Sequence, residues 1–260
     1  MGLVGRKVRV SLGGKTIVHN VDFKATRGEL VGILGPSGCG KTTLLMALSG
    51  FRPPTEGKVL FDGTDLLKNF EELKREIGFV PQDDVVPLAL RVERALGYTA
   101  ELRLQGFEPE ERQGRVDGVI RTLGLEGVRK QRVRNLSGGQ RKRVSVGMEL
   151  ISRPSLIFAD EPTSGLDPAL ERGLTETFRE LASQDRVVVV TTHIMSSLDL
   201  LDRVCVLTAG RLAFLGAPGK MKEFFEVDDF IEIYGKLQSG SPESWASRFR
   251  KSSVGQEALS

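Results

Sequence analysis

Nine consecutive residues, Gly35-Pro36-Ser37-Gly38-Cys39-Gly40-Lys41-Thr42-Thr43, contain the spacing G-x-x-x-x-G-K-[ST] through Gly35, Gly40, Lys41 and Thr42. Residues of these types wrap a backbone around a polyphosphate. Gly38 and Gly40 let the chain curl so that several N–H groups face one anion, and a helix opening at Lys41 adds the positive end of its dipole. Lys41 puts a point charge on the β and γ phosphates, Thr42 offers a hydroxyl oxygen to Mg2+, and Thr43 reaches toward the α phosphate. A second group, Leu156-Ile157-Phe158-Ala159-Asp160-Glu161, is an apolar run that closes on two carboxylates. Acidic residues at a strand end often serve solvation alone. Beside a phosphate loop they acquire a task, because the carboxyl ends of parallel strands border the crevice where such sheets bind ligands. Successive strand residues point opposite ways, so Asp160 is assigned to Mg2+, through water, and Glu161 to the attacking water as its base.

Both groups need strands to carry them. Short β-branched or apolar runs recur as KVRV, ELVGIL, KVLF, IGFV, LIFAD, RVVVV, RVCVLT and RLAFL, separated by helical patterns such as TTLLMALSG, QRKRVSVGMELIS and PALERGLTETFRELAS. Alternation of this kind predicts an α/β fold. The near-continuous runs ELVGIL, LIFAD and VVVV read as parallel strands covered on both faces. The start of the chain alternates and carries a Gly13-Gly14 turn, which predicts an antiparallel hairpin. The expectation is a P-loop NTPase (RecA-like) parallel-sheet core, with an antiparallel β subdomain at about 1–30 and 55–65 and a helical insertion at about 84–152. The core domain is expected over 1–235, and the Ser-rich stretch 236–260 reads as a polar tail or linker. Trp245 begins a connecting helix there, or packs back on the domain.

Composition narrows the function. The 260 residues are 40% hydrophobic and 27% charged, which excludes disorder and suits one large domain or two small ones. A net charge of +3 on this length gives no reason to expect nucleic acid. Cys39 and Cys205 stand in unrelated contexts, so they predict neither a metal site nor a redox pair. No stretch reaches the roughly 20 apolar residues of a membrane-crossing helix.

Between the two phosphate-directed groups lies LSGGQRKR, Leu136 to Arg143. Its residues predict a helix N-terminus with Ser137 as N-cap and two glycines that permit close approach by an anion. Here the chain resembles the ATP-binding cassette (ABC) family, whose signature LSGGQ it matches letter for letter. The resemblance runs from about residue 8 to 226. It implies that Gln82 in FVPQDD is the Q-loop glutamine that touches Mg2+ and the membrane partner. It implies likewise that Ser164–Asp167 is the D-loop and that His193 contacts the γ phosphate. Each has a plainer reading: Gln82 as a solvated loop residue, Asp167 as an N-cap, His193 as a strand-end histidine held by backbone. QDDVVPLALRVERAL, GMELISRPSLIFADEPTSGLD and AGRLAFLGAPGKMKEFF look most like the G-type (white/pigment-exporter-like) subfamily.

The resemblance further implies that two cassettes, as a homodimer or heterodimer, pair head to tail around two ATP. Ser137, Gly138, Gly139, Gln140 and Asp167 of one copy would then reach the nucleotide held by the other. It implies hydrolysis that powers movement of a substrate, with a lean to export, through a transmembrane domain supplied by a separate subunit or a further stretch of chain. The cassette would then sit on the cytoplasmic face of the membrane. The loop and helical segment after Gln82 are the expected docking region. Soluble cassettes of chromosome organisation carry a long coiled coil and those of translation carry two copies. This chain has a short connection and one copy. A non-hydrolysing regulatory module is the third alternative, against which Glu161 and His193 both stand. Leu12 falls where such cassettes often have an aromatic base-stacking residue, so weaker discrimination against GTP is expected. Cys39 reads as a small filler in the loop, with a thiol that would be exposed to alkylation while the site is empty.

Overall fold

The computed structural model describes residues 1–193 and 196–259. In chain order, β1 (Gly2–Leu12) and β2 (Lys15–Thr26) form a hairpin, and β3 (Leu30–Leu34) runs through the glycine loop into α1 (Lys41–Leu48). β4 (Glu56–Phe61), β5 (Thr64–Asp65), α2 (Phe70–Leu73) and β6 (Ile77–Val80) follow. Three helices, α3 (Val92–Arg103), α4 (Pro109–Thr122) and α5 (Gly138–Leu150), come before β7 (Leu156–Ala159), α6 (Pro168–Ser183) and β8 (Val187–Thr191). The chain continues with β9 (Arg203–Thr208), β10 (Arg211–Gly216), α7 (Pro218–Phe225), α8 (Glu232–Gln238), α9 (Pro242–Lys251) and α10 (Ser253–Leu259).

The strands form two sheets. The first, in the order β2-β1-β4-β5, is antiparallel, and its hairpin turns at Gly13 and Gly14 with φ of 54° and 79°. Positive φ at both positions is what a two-residue hairpin loop requires, and glycine supplies it without a Cβ clash. The second sheet has the order β10-β9-β3-β8-β7-β6, with only β10 antiparallel to its neighbour. Every residue of β3, β7 and β8 is buried, as expected for parallel strands covered by helices on both faces. Gly32 in β3 makes room for a neighbour, since a Cβ there would lie 2.5 Å from Leu201 Cδ1. Arg27 joins the two sheets by donating to Asp62 Oδ2 at 2.7 and 3.0 Å and to the Asp185 carbonyl at 2.8 Å.

The end of the chain corrects the sequence reading. The stretch expected to be a polar tail is helical and folded onto the domain. Ser241 caps α9, its Oγ accepting from Ser244 N at 3.1 Å, and Trp245, Ala246 and Phe249 are buried. Phe249 meets Phe214 of β10 at 5.7 Å between ring centroids, and Trp245 meets Phe225 at 5.2 Å. The surrounding serines mask an i, i+1, i+4 apolar stripe, and that stripe, rather than the mean polarity, decides whether a helix packs. Phe249→Ala is expected to cost about 3–5 kcal/mol for a large buried ring. At a few degrees per kcal/mol, the thermal midpoint should fall by roughly 10 °C. A midpoint within about 2 °C of wild type, on the same scale, would mean that the helix contributes little to the fold.

Candidate active site

The sheet order places the chemistry. β8 lies between β3 and β7, with Ile33 opposite Thr191 and Ala159 opposite Val190. The glycine loop, His193 and the Asp160-Glu161 pair therefore leave three adjacent strands at the same end. The loop needs its glycines for specific reasons. Gly40 has φ 102°, and a Cβ at Gly35 would lie 2.4 Å from the Leu207 carbonyl oxygen. Lys41, only 6% exposed, donates to the carbonyls of Gly35 at 3.0 Å and Pro36 at 3.3 Å. Its Nζ also lies 3.7 Å from Glu161 Oε1. On the other side, Glu161 Oε2 is 3.4 Å from His193 Nδ1. Lys41, Glu161 and His193 thus form one short chain of polar groups at the mouth of the loop.

Asp160 is buried and turned toward the loop. Its Oδ1 accepts from Thr42 Oγ1 at 3.0 Å and from Thr191 Oγ1 at 2.6 Å. Thr191 Oγ1 in turn accepts from the Glu161 backbone N–H at 2.8 Å. That bond holds Glu161 at φ 41°, a left-handed conformation uncommon for a side chain of this size. The turn of the backbone at Glu161, more than simple strand alternation, aims its carboxylate at Lys41 and His193. Thr42 and Asp160 present hard oxygens side by side, a donor set that fits Mg2+. Among the described residues no group of three or more His, Cys, Asp or Glu offers a metal cage. A metal here would therefore take the rest of its ligands from phosphate and water.

Other residues singled out in the sequence lie apart from this cluster. Ser137 caps α5, accepting from Gln140 N at 3.3 Å while Gln140 Oε1 accepts from Ser137 N at 3.1 Å. Ser137 and Gly138 are exposed, whereas Gly139 packs against Leu170. Among the described residues no hydrogen bond or ion pair joins LSGGQ to the glycine loop of its own chain. Asp167 caps α6 through Ala169 N and Leu170 N, both at 3.1 Å. Gln82 is exposed, but its carbonyl accepts from Lys142 Nζ at 2.6 Å, and Lys142 also pairs with Asp84 at 2.8 Å. Lys142 belongs to the LSGGQ helix, so it ties that helix to the Gln82 loop. Leu12 stands exposed at the end of β1. Ser37, Gly38 and Thr43 lie in the loop and the first turn of α1.

Cys39 corrects an expectation. Its side chain is 6% exposed, and burial pushes the thiol up, partly offset by Lys41. The loop folds the thiol inward, against Gly35. The fold also brings Cys39 within electrostatic range of Cys205, a fully buried thiol of β9, although both are free. Alkylation by N-ethylmaleimide at neutral pH should therefore be much slower than for an unstructured thiol. Labelling of Cys39 at the unstructured rate would contradict this packing.

Two contributors escaped the sequence reading. Thr191 ends the VVVV run, and only the β7–β8 register reveals that it stands beside Asp160. Tyr234 of α8 donates its hydroxyl to the His193 carbonyl at 3.5 Å. Burial, the largest cause, pushes its pKa up to about 12, so it remains a neutral hydroxyl.

Comparison with known proteins follows this geometry. Residues 18–164 match the family model described as ABC transporter. The chain belongs to the ABC transporter family. It is 40% identical over 239 residues to the ABC transporter ATP-binding/permease protein Rv1747 of Mycobacterium tuberculosis, covering 91% of this chain and 28% of that protein. It is 40% identical over 220 residues to ABC transporter G family member 14 of Arabidopsis thaliana, covering 81% of this chain and 34% of that protein. Nod factor export ATP-binding protein I of Rhizobium johnstonii is 35% identical over 230 residues, with coverage of 88% and 73%. The chain thus spans about a third or less of the first two relatives. A dimeric post-hydrolysis structure of the ATP-binding cassette MJ0796, bound to ADP and Pi, superposes with a TM-score of 0.73 at 27% identity, covering 83% of this chain and 98% of that one. The chain is an ABC ATPase domain, and G family members are among the proteins it resembles.

Thr191→Val in this ABC domain removes the hydroxyl that serves both Asp160 and the Glu161 N–H. It is expected to cost about 1–3 kcal/mol of stability. ATP turnover should fall at least about tenfold, the effect of some 1.4 kcal/mol on a barrier. Thr191→Ser, which keeps the hydroxyl, should restore most of both, and equal turnover in the two variants would remove Thr191 from the site.

Proposed function

We propose that this ABC domain hydrolyses ATP at a seam between two cassettes and thereby drives export through a transmembrane partner. The observation that carries the reading is the division of the motifs. Lys41, Thr42, Asp160, Glu161 and His193 converge at one end of the sheet, while among the described residues the capped and exposed end of α5 has no bond to them. A helix N-terminus with an exposed serine and glycine, Ser137 and Gly138, can meet an anion. Here the anion is the triphosphate held by a second cassette, a homodimer or heterodimer partner.

In this scheme the backbone of residues 35–40 and Lys41 grip the β and γ phosphates, and Thr43 reaches the α phosphate. Glu161 orients a water in line with the γ phosphorus and takes its proton as the P–O bond to ADP breaks. His193 contacts the γ phosphate from the edge of β8, held close to Glu161. Thr42, with Asp160 and Gln82 through water, would hold Mg2+, which would supply charge neutralisation for the phosphates. Ser137, Gly138, Gly139 and Gln140 of the opposite cassette close over the same nucleotide, with its Asp167 at the seam. Loss of the γ phosphate contacts on hydrolysis opens the pair. Leu12 gives the adenine apolar contact without a π face, so GTP competes with ATP better than where an aromatic stands.

The docking face for the membrane partner is the region after Gln82. A groove of about 720 Å3 runs between the loop and α3, lined by Val85, Pro87, Tyr98 and Leu102. Val85 is 72% exposed and Leu102 73%. Contiguous exposed apolar side chains of this size mark an interaction surface. In this reading the domain sits at the cytoplasmic face of the membrane, held there by its partner; no helix of the described residues is long and apolar enough to cross a membrane itself.

Glu161→Gln keeps the shape of the side chain and removes the base. Turnover should drop by about 10²-fold or more, the contribution of general-base catalysis. With millimolar ATP and Mg2+, gel filtration with light scattering should find the variant as an ATP-containing dimer. A variant that stays monomeric with ATP bound, in a cassette pair or assembled transporter that dimerises in wild-type form, would sink the seam model.

A further inference from the structure

Three arginines from separate parts of the chain line one pocket of about 330 Å3. Arg115 comes from α4, Arg153 from the turn after α5, and Arg186 from the turn that leads into β8. Arg153 and Arg186 precede β7 and β8, whereas Asp160, Glu161 and His193 follow those strands. The pocket therefore lies at the opposite end of the parallel sheet from the nucleotide site.

The cluster lacks its counter-charge. Among the described residues none of the three side chains makes an ion pair or a hydrogen bond, and Arg115 Nη1 is buried with no partner. Arg115 rests over the Phe107 ring, 5.8 Å from its centroid. Glu111, on the same helix, attracts Arg115 at longer range without bonding to it, its Oε2 accepting from the Glu108 N–H at 3.1 Å. Burial first, and then the charge of Arg153, lower the pKa of both Arg115 and Arg186. Arg115 and Arg186 are half-buried and Arg153 is exposed, so water screens their mutual repulsion only in part and an anion between them would relieve it.

Gly114 and Gly118 point the same way independently. They line the same pocket, four residues apart on the face of α4 that carries Arg115. A Cβ added at either meets nothing within 4 Å, so packing in the fold does not require their smallness. Glycine inside a helix weakens it relative to alanine. The pair leaves bare backbone and open space beside an unpartnered guanidinium.

We propose that this pocket binds a phosphate-bearing small anion at a site separate from the nucleotide. Three guanidinium groups call for more than one negative charge, which favours a phosphate dianion over a single carboxylate, and the planar fork of arginine matches two oxygens of such a group. The volume leaves room for a small organic body beyond the phosphate. The occupant joins α4 of the helical insertion to the core through Arg153 and Arg186. Leu150, the last residue of α5, shares the wall, so the site sits at the far end of the helix that begins at Ser137.

The test is thermal unfolding of the full chain with its nucleotide site saturated by a non-hydrolysable ATP analogue, in glycerol 3-phosphate against sodium chloride at equal ionic strength. The phosphate ester should raise the wild-type midpoint by several degrees beyond chloride. Calorimetric titration under the same conditions should find one ester per chain. Arg115→Gln/Arg186→Gln should lose the increment, yet in chloride be at least as stable as wild type, because like charges have been relieved. Arg153→Gln, at an exposed position, should fold normally and weaken the response. Gly114→Ala should stabilise the chain in chloride and also weaken the response. An equal effect of ester and chloride on wild type, or an increment retained by the double variant, overturns the proposal. A double variant less stable than wild type in chloride does so too, by making the arginines structural.

Discussion

A buried carboxylate held by two hydroxyls organises the chemical end of this domain. Asp160 receives hydrogen bonds from Thr42 on the phosphate helix and from Thr191 on the neighbouring strand. Neither hydroxyl is placed by its own segment. Thr42 stands where it does because β3 feeds α1, and Thr191 because β8 separates β3 from β7. An ionised carboxylate out of water needs such partners, so the three strands are held in one register by the same bonds that shape the site. Thr191 extends this control to the Glu161 backbone, fixing a left-handed residue whose side chain meets Lys41 and His193. The residue proposed as the base is thus also the strained one, a common pairing where the surroundings over-determine the backbone.

The rest of the molecule is arranged around this end. The two sheets share the task of burying the phosphate helix, and the aromatic cluster under α9 seals the edge formed by β10. The helical insertion carries both the apolar groove along α3 and the exposed cap of α5. Lys142 links them through the Gln82 carbonyl and Asp84. A buried lysine that bonds to loop backbone ties the loop after Gln82 to the helix that carries LSGGQ.

Much of this was legible in the chain itself. The strand runs, the glycine loop, the Asp-Glu strand end and the Ser137 cap all depend on residues close in sequence, and each appears where the pattern puts it. The hairpin at Gly13 and Gly14 was readable because only a positive φ at both positions closes a two-residue turn. Misreadings arose where composition was allowed to stand for geometry. The C-terminal stretch is rich in serine, yet Trp245, Ala246 and Phe249 share one helical face. Cys39 sits in a loop that looks open in the sequence, but the curl that serves a phosphate also folds the thiol inward.

From sequence alone came the family, the α/β class and the identity of the polar groups at the loop, because those rest on local backbone preferences and on short spacings. Tertiary structure alone decided that Thr191 and Tyr234 join the site, that the end of the chain is part of the domain, and that Arg115, Arg153 and Arg186 face one cavity. Side chains distant in sequence meet only through strand order, register and helix packing. Those are set by the sum of many burial terms across the whole chain, and no local pattern encodes them.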